Sequence, residues 1–142
     1  MKNMDPKNKN IQNYFVDTNL FLRLIVDDKS NLNKKAKSIF LEASYGKYRL
    51  FTSAIVFFEI YWVLKSFYQK NKEEILIILK NILRMDFCRI ENKKIISQAV
   101  LYFEKHNLEL EDCYNIFFAT KFRAKKIITF DKKLEKSFNK LA

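Results

Sequence analysis

Short apolar runs alternate along this chain with longer stretches in which apolar residues recur every three or four positions. Tyr14-Phe15-Val16, Arg49-Leu50-Phe51-Thr52, Phe87-Cys88-Arg89-Ile90 and Lys126 to Phe130 are too brief for helices and rich in aromatic or β-branched residues, so they read as strands. The first of them is expected to be buried. Between the strands the spacing predicts helices. One covers Asn19 to Val26 through Leu20, Leu24 and Ile25, and the next carries Leu32, Ala36, Ile39, Phe40 and Ala43 as one stripe. Others span Ala54 to about Tyr68, Lys72 to Arg84, Asn92 to Lys105 and Leu110 to Ala124. A last short helix, built on Leu134 and Phe138, follows Asp131. Ser53 stands where a serine would cap the helix from Ala54, and Ser30 or Asn31 where one would cap the second helix. Strands alternating with amphipathic helices imply an α/β fold with a mainly parallel central sheet covered on both faces.

Composition narrows the function. The 142 residues suit one domain, expected over residues 13–142, after a polar stretch at residues 1–12 that reads as a disordered leader. At 49% hydrophobic residues the chain can fill a core, which excludes a wholly disordered protein. The 27 basic and 16 acidic side chains leave a net charge of +11, which favours an anionic partner such as nucleic acid. An AT-rich coding sequence would enrich Lys, Asn, Ile and Phe in the same way, so charge alone does not decide the matter. A single glycine excludes both the P-loop and the G-x-G-x-x-G fingerprint. A single histidine, His106, excludes a two-histidine acid–base ribonuclease mechanism. Cys88 and Cys113 sit in apolar company without metal-type spacing and read as buried free thiols of a reducing cytoplasm. No signal segment is visible and no apolar run approaches the roughly 20 residues of a membrane span, so a soluble, cytoplasmic protein without a membrane role is expected.

Four acids stand out against this background. Asp17 ends the first apolar run and Asp131 the last, Glu59 interrupts the greasy stretch Ala54 to Leu64, and Asp112 opens a helix facing Asn115, Ile116 and Ala119. A carboxylate in apolar surroundings is costly unless it is paired, protonated or bound to a cation. Open parallel sheets place ligand sites at the carboxyl ends of strands, where Asp17 and Asp131 lie, although aspartate at such a point also caps helices. Glu109, Glu111, Asp27 and Asp28 read as ordinary helix-start or surface charges. Hard oxygen donors without His or Cys suit Mg²⁺ or Mn²⁺ rather than Zn²⁺.

Four pieces carry a resemblance: Val16-Asp17-Thr18-Asn19-Leu20-Phe21-Leu22-Arg23, Ser53 to Glu59, Leu110-Glu111-Asp112-Cys113-Tyr114, and Ile128-Thr129-Phe130-Asp131-Lys132-Lys133-Leu134. In this order the chain resembles the PIN domain, the nuclease fold of VapC-type toxins, from Tyr14 to Phe138. The segment Ala124-Lys125-Lys126 departs from the pattern, since relatives often carry glycine there. The resemblance implies a three-layer α/β/α sandwich and a Mg²⁺- or Mn²⁺-dependent endoribonuclease. It makes Asp17, Glu59, Asp112 and Asp131 the catalytic, metal-binding acids, with Thr18 and Asn19 ordering the site around Asp17 and Thr129 doing so beside Asp131. It also implies an RNA substrate, a cognate antitoxin and a homodimer. The surface around Phe57, Phe58, Tyr61 and Trp62 is a candidate dimer interface, with core packing its main use. An RNA-processing or RNA-binding relative that is not a toxin is the alternative. A phosphorylated receiver-like module would need an acidic pair near the first strand, and Asp27-Asp28 comes too late, after a helix.

Overall fold

A computed structural model describes residues 10–141 of the chain; the expected leader lies outside the described residues as far as residue 9. Among the described residues there are three strands and seven helices, in the order β1 (Asn13–Phe15), α1 (Thr18–Ile25), α2 (Asn31–Ser44), β2 (Arg49–Thr52), α3 (Ala54–Ser66), α4 (Lys72–Leu83), β3 (Cys88–Ile90), α5 (Lys93–Lys105), α6 (Leu110–Lys121) and α7 (Lys132–Leu141). The expected α/β class with a parallel sheet is therefore found. The chain packs as two compact units. One holds the chain through Ile60 together with Arg84–Glu91, and the other holds Tyr61–Leu83 with Asn92 onward.

The first unit contains the sheet. Its order is β1-β2-β3 and both pairings are parallel, with Tyr14 opposite Leu50 and Leu50 opposite Cys88. Val16 N–H extends the ladder by donating to the Phe51 carbonyl at 2.9 Å, and the Thr52 hydroxyl donates to the Val16 carbonyl at 2.7 Å. The central strand buries Leu50 and Thr52. The outer strand β1 does not match its expected burial: all three of its residues are exposed, Phe15 by 53%. A strand with one neighbour in the sheet has less to pack against, and burial begins only one residue later, at Val16. Helices α1 and α2 pack together through Phe21 and Phe40, whose ring centroids lie 5.3 Å apart. Asn33 on α2 is fully buried and donates to the Arg23 carbonyl at 2.6 Å, which ties down the end of α1. Ser30 caps α2 and Ser53 caps α3, each hydroxyl accepting a backbone N–H three residues on, as the capping pattern predicts.

The second unit is helical. The stripe Ile95, Ile96, Ala99, Val100 and Phe103 of α5 is buried throughout, and α5 packs on both α4 and α6. From α6 come Leu110, Cys113 and Ile116, and from α7 Leu134 and Phe138. Each Val, Leu, Ile or Phe side chain among them is worth roughly 1.5–3 kcal/mol when taken from water. Both cysteines are buried, and burial pushes the Cys113 thiol up to about 11. Among the described residues no helix is long and apolar enough to cross a membrane.

Residues 126–130 overturn an expectation. They form no strand, Ile128 is 91% exposed and Phe130 fully so. The run Ile-Ile-Thr-Phe has strand propensity, but propensity supplies no ladder partner, and without one the segment stays irregular. The turn before it has a definite cause. Helix α6 ends in a Schellman motif: Ala124 N–H donates to the Ala119 carbonyl at 2.9 Å and Arg123 N–H to the Thr120 carbonyl at 3.1 Å. This sets Arg123 at φ 59°, the conformation usually given to glycine, one residue before the segment where the sequence lacks the expected glycine.

Candidate functional site

The acids form two groups, one in each unit. In the first unit Asp17 occupies the N-cap of α1 in extended conformation, and its Oδ1 accepts the Thr18 N–H at 2.7 Å. Thr18 is buried, and its hydroxyl donates to Glu59 Oε2 at 2.5 Å. One threonine thus touches both candidate acids of this unit, through its backbone to Asp17 and through its side chain to Glu59. The local reason is sequential: the strand ends before Asp17, and the cap requires the aspartate to turn back on the first helical amides. Asn19 is exposed and lines a groove of about 480 Å³ with Leu20, Arg23, Leu32, Lys35 and Ile39.

In the second unit Asp131 caps α7, its Oδ1 accepting the N–H groups of Lys133 at 3.0 Å and Leu134 at 3.1 Å. Its own N–H donates to the Thr129 hydroxyl at 3.0 Å, so Thr129 holds the turn that presents the carboxylate. Asp112 lies in the first turn of α6, where the helix dipole favours an anion. Even so, its carboxyl is held above the ordinary aspartate range, first by burial, then by the negative charge of Asp131, then by Glu109. Asp112 and Asp131 are therefore close enough to repel one another.

The cap bonds of Asp17 and of Asp131 each engage Oδ1 alone. Three of the four acids, Asp17, Glu59 and Asp131, are exposed, and only Asp112 is half-buried. The cost of an apolar environment thus applies to Asp112 alone. Among the described residues no three Asp, Glu, His or Cys side chains stand close enough to form a ready-made metal centre. The donors nonetheless fit a hard divalent ion, being carboxylate oxygens without sulfur or imidazole, and the Asp112–Asp131 repulsion is of the kind a cation relieves.

Two residues read from sequence as ordinary charges are more specific than that. Glu109 accepts from the Tyr61 hydroxyl at 2.6 Å and from Lys65 Nζ at 2.6 and 2.7 Å, and these partners hold it below the usual glutamate range. Glu111 is half-buried with Oε1 sealed from water and without a hydrogen-bond partner, and burial raises its proton affinity. Nothing in Leu110-Glu111-Asp112 marks Glu111 apart from its neighbours, because its burial comes from packing and not from spacing. Phe57 and Tyr61, considered above for a dimer interface, are core residues, each only 1% exposed.

Comparison with known proteins adds an independent line. A protein named VapC ribonuclease from Aquifex aeolicus (strain VF5) is 23% identical over 121 residues, covering 85% of this chain and 89% of that relative. The sequence profile of the PIN domain matches residues 14–138, a span that takes in both acid groups and every element from β1 into α7, and the chain belongs to the PIN domain family.

Proposed function

We propose that this chain is a divalent-metal-dependent endoribonuclease, with Asp17, Glu59, Asp112 and Asp131 as its acidic residues, and that it is the toxin of a toxin–antitoxin pair. The observation that carries the reading is Asp112 on a PIN domain: its carboxyl is held above the ordinary aspartate range by burial and then by the charge of Asp131, an arrangement that a cation would relieve. The ribonuclease name of the Aquifex relative supports RNA as the substrate. Mg²⁺ or Mn²⁺, held by these carboxylates, would supply charge stabilisation to an in-line displacement at phosphorus and lower the pKa of the attacking water. The chain's own residues position and discriminate. Asp17 and Asp131 are fixed by their caps, Thr18 holds Glu59, and Thr129 holds the Asp131 turn. The excess of basic side chains, 27 against 16 acidic, would offset the repulsion that RNA phosphates feel from carboxylates.

End mapping of a cleaved RNA tests this reading. Cleavage is expected with Mg²⁺ or Mn²⁺ and is expected to stop with a chelator, leaving 5′-phosphate and 3′-hydroxyl ends. Cyclic phosphate ends, or cleavage that survives chelation, would overturn it. The toxin part is tested separately: expression should arrest growth, and Asp112→Asn should relieve the arrest. Normal growth with retained RNA cleavage would favour an RNA-processing role. A cognate antitoxin and a homodimer belong to the toxin reading, and with Phe57 and Tyr61 in the core a dimer would use exposed side chains such as Ile55 and Trp62.

Thr18 is a positioning residue in this scheme. Thr18→Val keeps the shape and removes the donor to Glu59, so kcat is expected to fall about tenfold or more, the value of a hydrogen bond to a charged group, with KM for RNA little changed. Thr18→Ser should restore kcat. Equal activity in the valine variant would show that the contact has no part in the reaction.

A further inference from the structure

Helix α6 carries aromatic rings on its outer face. Tyr114, Phe118 and Phe122 recur every four residues, and their rings form a ladder, with centroids 5.8 Å apart and 28° between planes for the first pair, then 4.7 Å and 44° for the second. Two of them are left in water, Phe118 being 40% exposed and Phe122 65%, while Tyr114 is half-buried and its hydroxyl accepts from Asn92 Nδ2 at 2.9 Å. The core face of the same helix is a different one, made by Leu110, Cys113 and Ile116. Large apolar rings left in water in a contiguous row usually mark a binding surface.

The charge around the row identifies what would cover it. Between residues 113 and 130 there are four cations, Lys121, Arg123, Lys125 and Lys126, and no acid. All four are exposed, and Lys121 Nζ stands 5.9 Å from the Phe122 ring centroid. The Schellman turn lies at Arg123, so that Arg123, Lys125 and Lys126 follow directly on the last ring. Flat π-faces next to a run of cations match a polymer with flat bases and one negative charge per residue. An apolar protein partner would have no use for the cations, and a duplex would hide its base faces.

We propose that the Tyr114–Phe118–Phe122 face of α6, with Lys121, Arg123, Lys125 and Lys126, is a stacking platform for single-stranded RNA. The proposal rests on the nuclease reading above and names its substrate class: the strand must be unpaired where it meets this helix. The platform starts two residues after Asp112, and the segment that follows the cations ends at Phe130, fully exposed beside Asp131. From Asp112 to Phe122 the helix rises about 15 Å, the span of roughly four stacked bases at ~3.4 Å each. Bases stacked along α6 would thus lead the backbone towards the Asp112–Asp131 pair.

Fluorescence anisotropy tests this with a labelled, unstructured oligoribonucleotide of about 12 nucleotides, within the site size of single-strand binders, and a duplex of the same length, both in chelator so that no cleavage intervenes. Phe122→Ala is expected to weaken single-strand binding about tenfold, and Phe118→Ala with Phe122→Ala about a hundredfold, as loss of ring–base stacking predicts. Phe122→Trp should retain binding and Phe122→Leu should not, which separates stacking from plain hydrophobic contact. Replacing Lys125 and Lys126 by Gln should reduce the salt dependence by about 0.7 for each cation removed. Phe122 lies at the helix end, so its variants remain informative even where Phe118→Ala unfolds the chain. Unchanged single-strand affinity in Phe122→Ala would overturn the platform, and so would equal losses for duplex and single strand. A change of oligomeric state in sedimentation with RNA affinity intact would assign the face to self-association instead. RNA bound through these rings but never cleaved leaves the platform standing and removes the nuclease reading; cleavage and binding at wild-type levels in the double variant do the reverse.

Discussion

Asp112→Asn is expected to lower RNA cleavage by about 10²–10³-fold or more, the scale on which losing one preorganised electrostatic contact to a transition state is felt, and at the same time to raise the melting temperature at pH 7. The two effects share a cause. Burial, the charge of Asp131 and then Glu109 hold the Asp112 carboxyl above its ordinary value of 3.8 in the folded chain. The folded chain therefore binds the Asp112 proton more tightly than the unfolded chain does. Its contribution to stability is fully present below pH 3.8 and is lost as pH rises through the higher, folded value. At pH 7 the whole penalty applies. Asparagine has nearly the same shape and no charge, so it escapes the penalty. For a charge repulsion near the surface, worth ~0.2–1 kcal/mol, the gain should be about 1–4 °C, and it should vanish in melts below pH 3.8. Divalent ions should raise the melting temperature of the native chain and do less for the variant. Cleavage at the native rate by Asp112→Asn would remove the residue from the reaction. A lower melting temperature at neutral pH would show that Asp112 supports the fold and does not strain it.

Phe21→Ala is expected to be the most damaging change to the fold, and Phe130→Ser to cost almost nothing. Phe21 is wholly buried and packs on Phe40. Truncating such a ring costs about 3–5 kcal/mol out of a total of ~5–15, a fall of roughly 10–15 °C in melting temperature. Phe130 sits at the end of an apolar run that looks at least as core-like in the sequence. Its ring is in water, so serine there should stay within about 0.5 kcal/mol of the native chain. Comparable losses at the two positions would mean that residues 126–130 are packed after all. Phe21→Ala should also cost cleavage indirectly, because α1 carries Thr18 and is capped by Asp17.

These two phenylalanines show where the legibility of the chain stops. The helices were readable because a 3.6-residue period needs no outside partner to declare itself: the α5 stripe from Ile95 to Phe103 is buried as its spacing predicts, and Ser30 and Ser53 cap as expected. Strand β2 was readable as well, since Leu50 and Thr52 alternate with half-exposed neighbours. The run at 126–130 has as good a strand composition as β1. What separates them is a ladder partner, Arg49 to Phe51 for β1, and composition does not say who pairs with whom.

The same division runs through the site. By itself the amino-acid sequence determined the four acids, their order and the family pattern around them, because a motif is a local arrangement of residue types. Only the tertiary structure decided how each acid is held. Asp17 is joined to Glu59 through one threonine, across a separation of 41 residues between Thr18 and Glu59. Asp112 feels Asp131, Glu109 is taken up by Tyr61 and Lys65, and Glu111 is sealed without a partner. Each of these depends on distance and on exclusion of water, and both arise only when segments far apart in the chain are packed side by side.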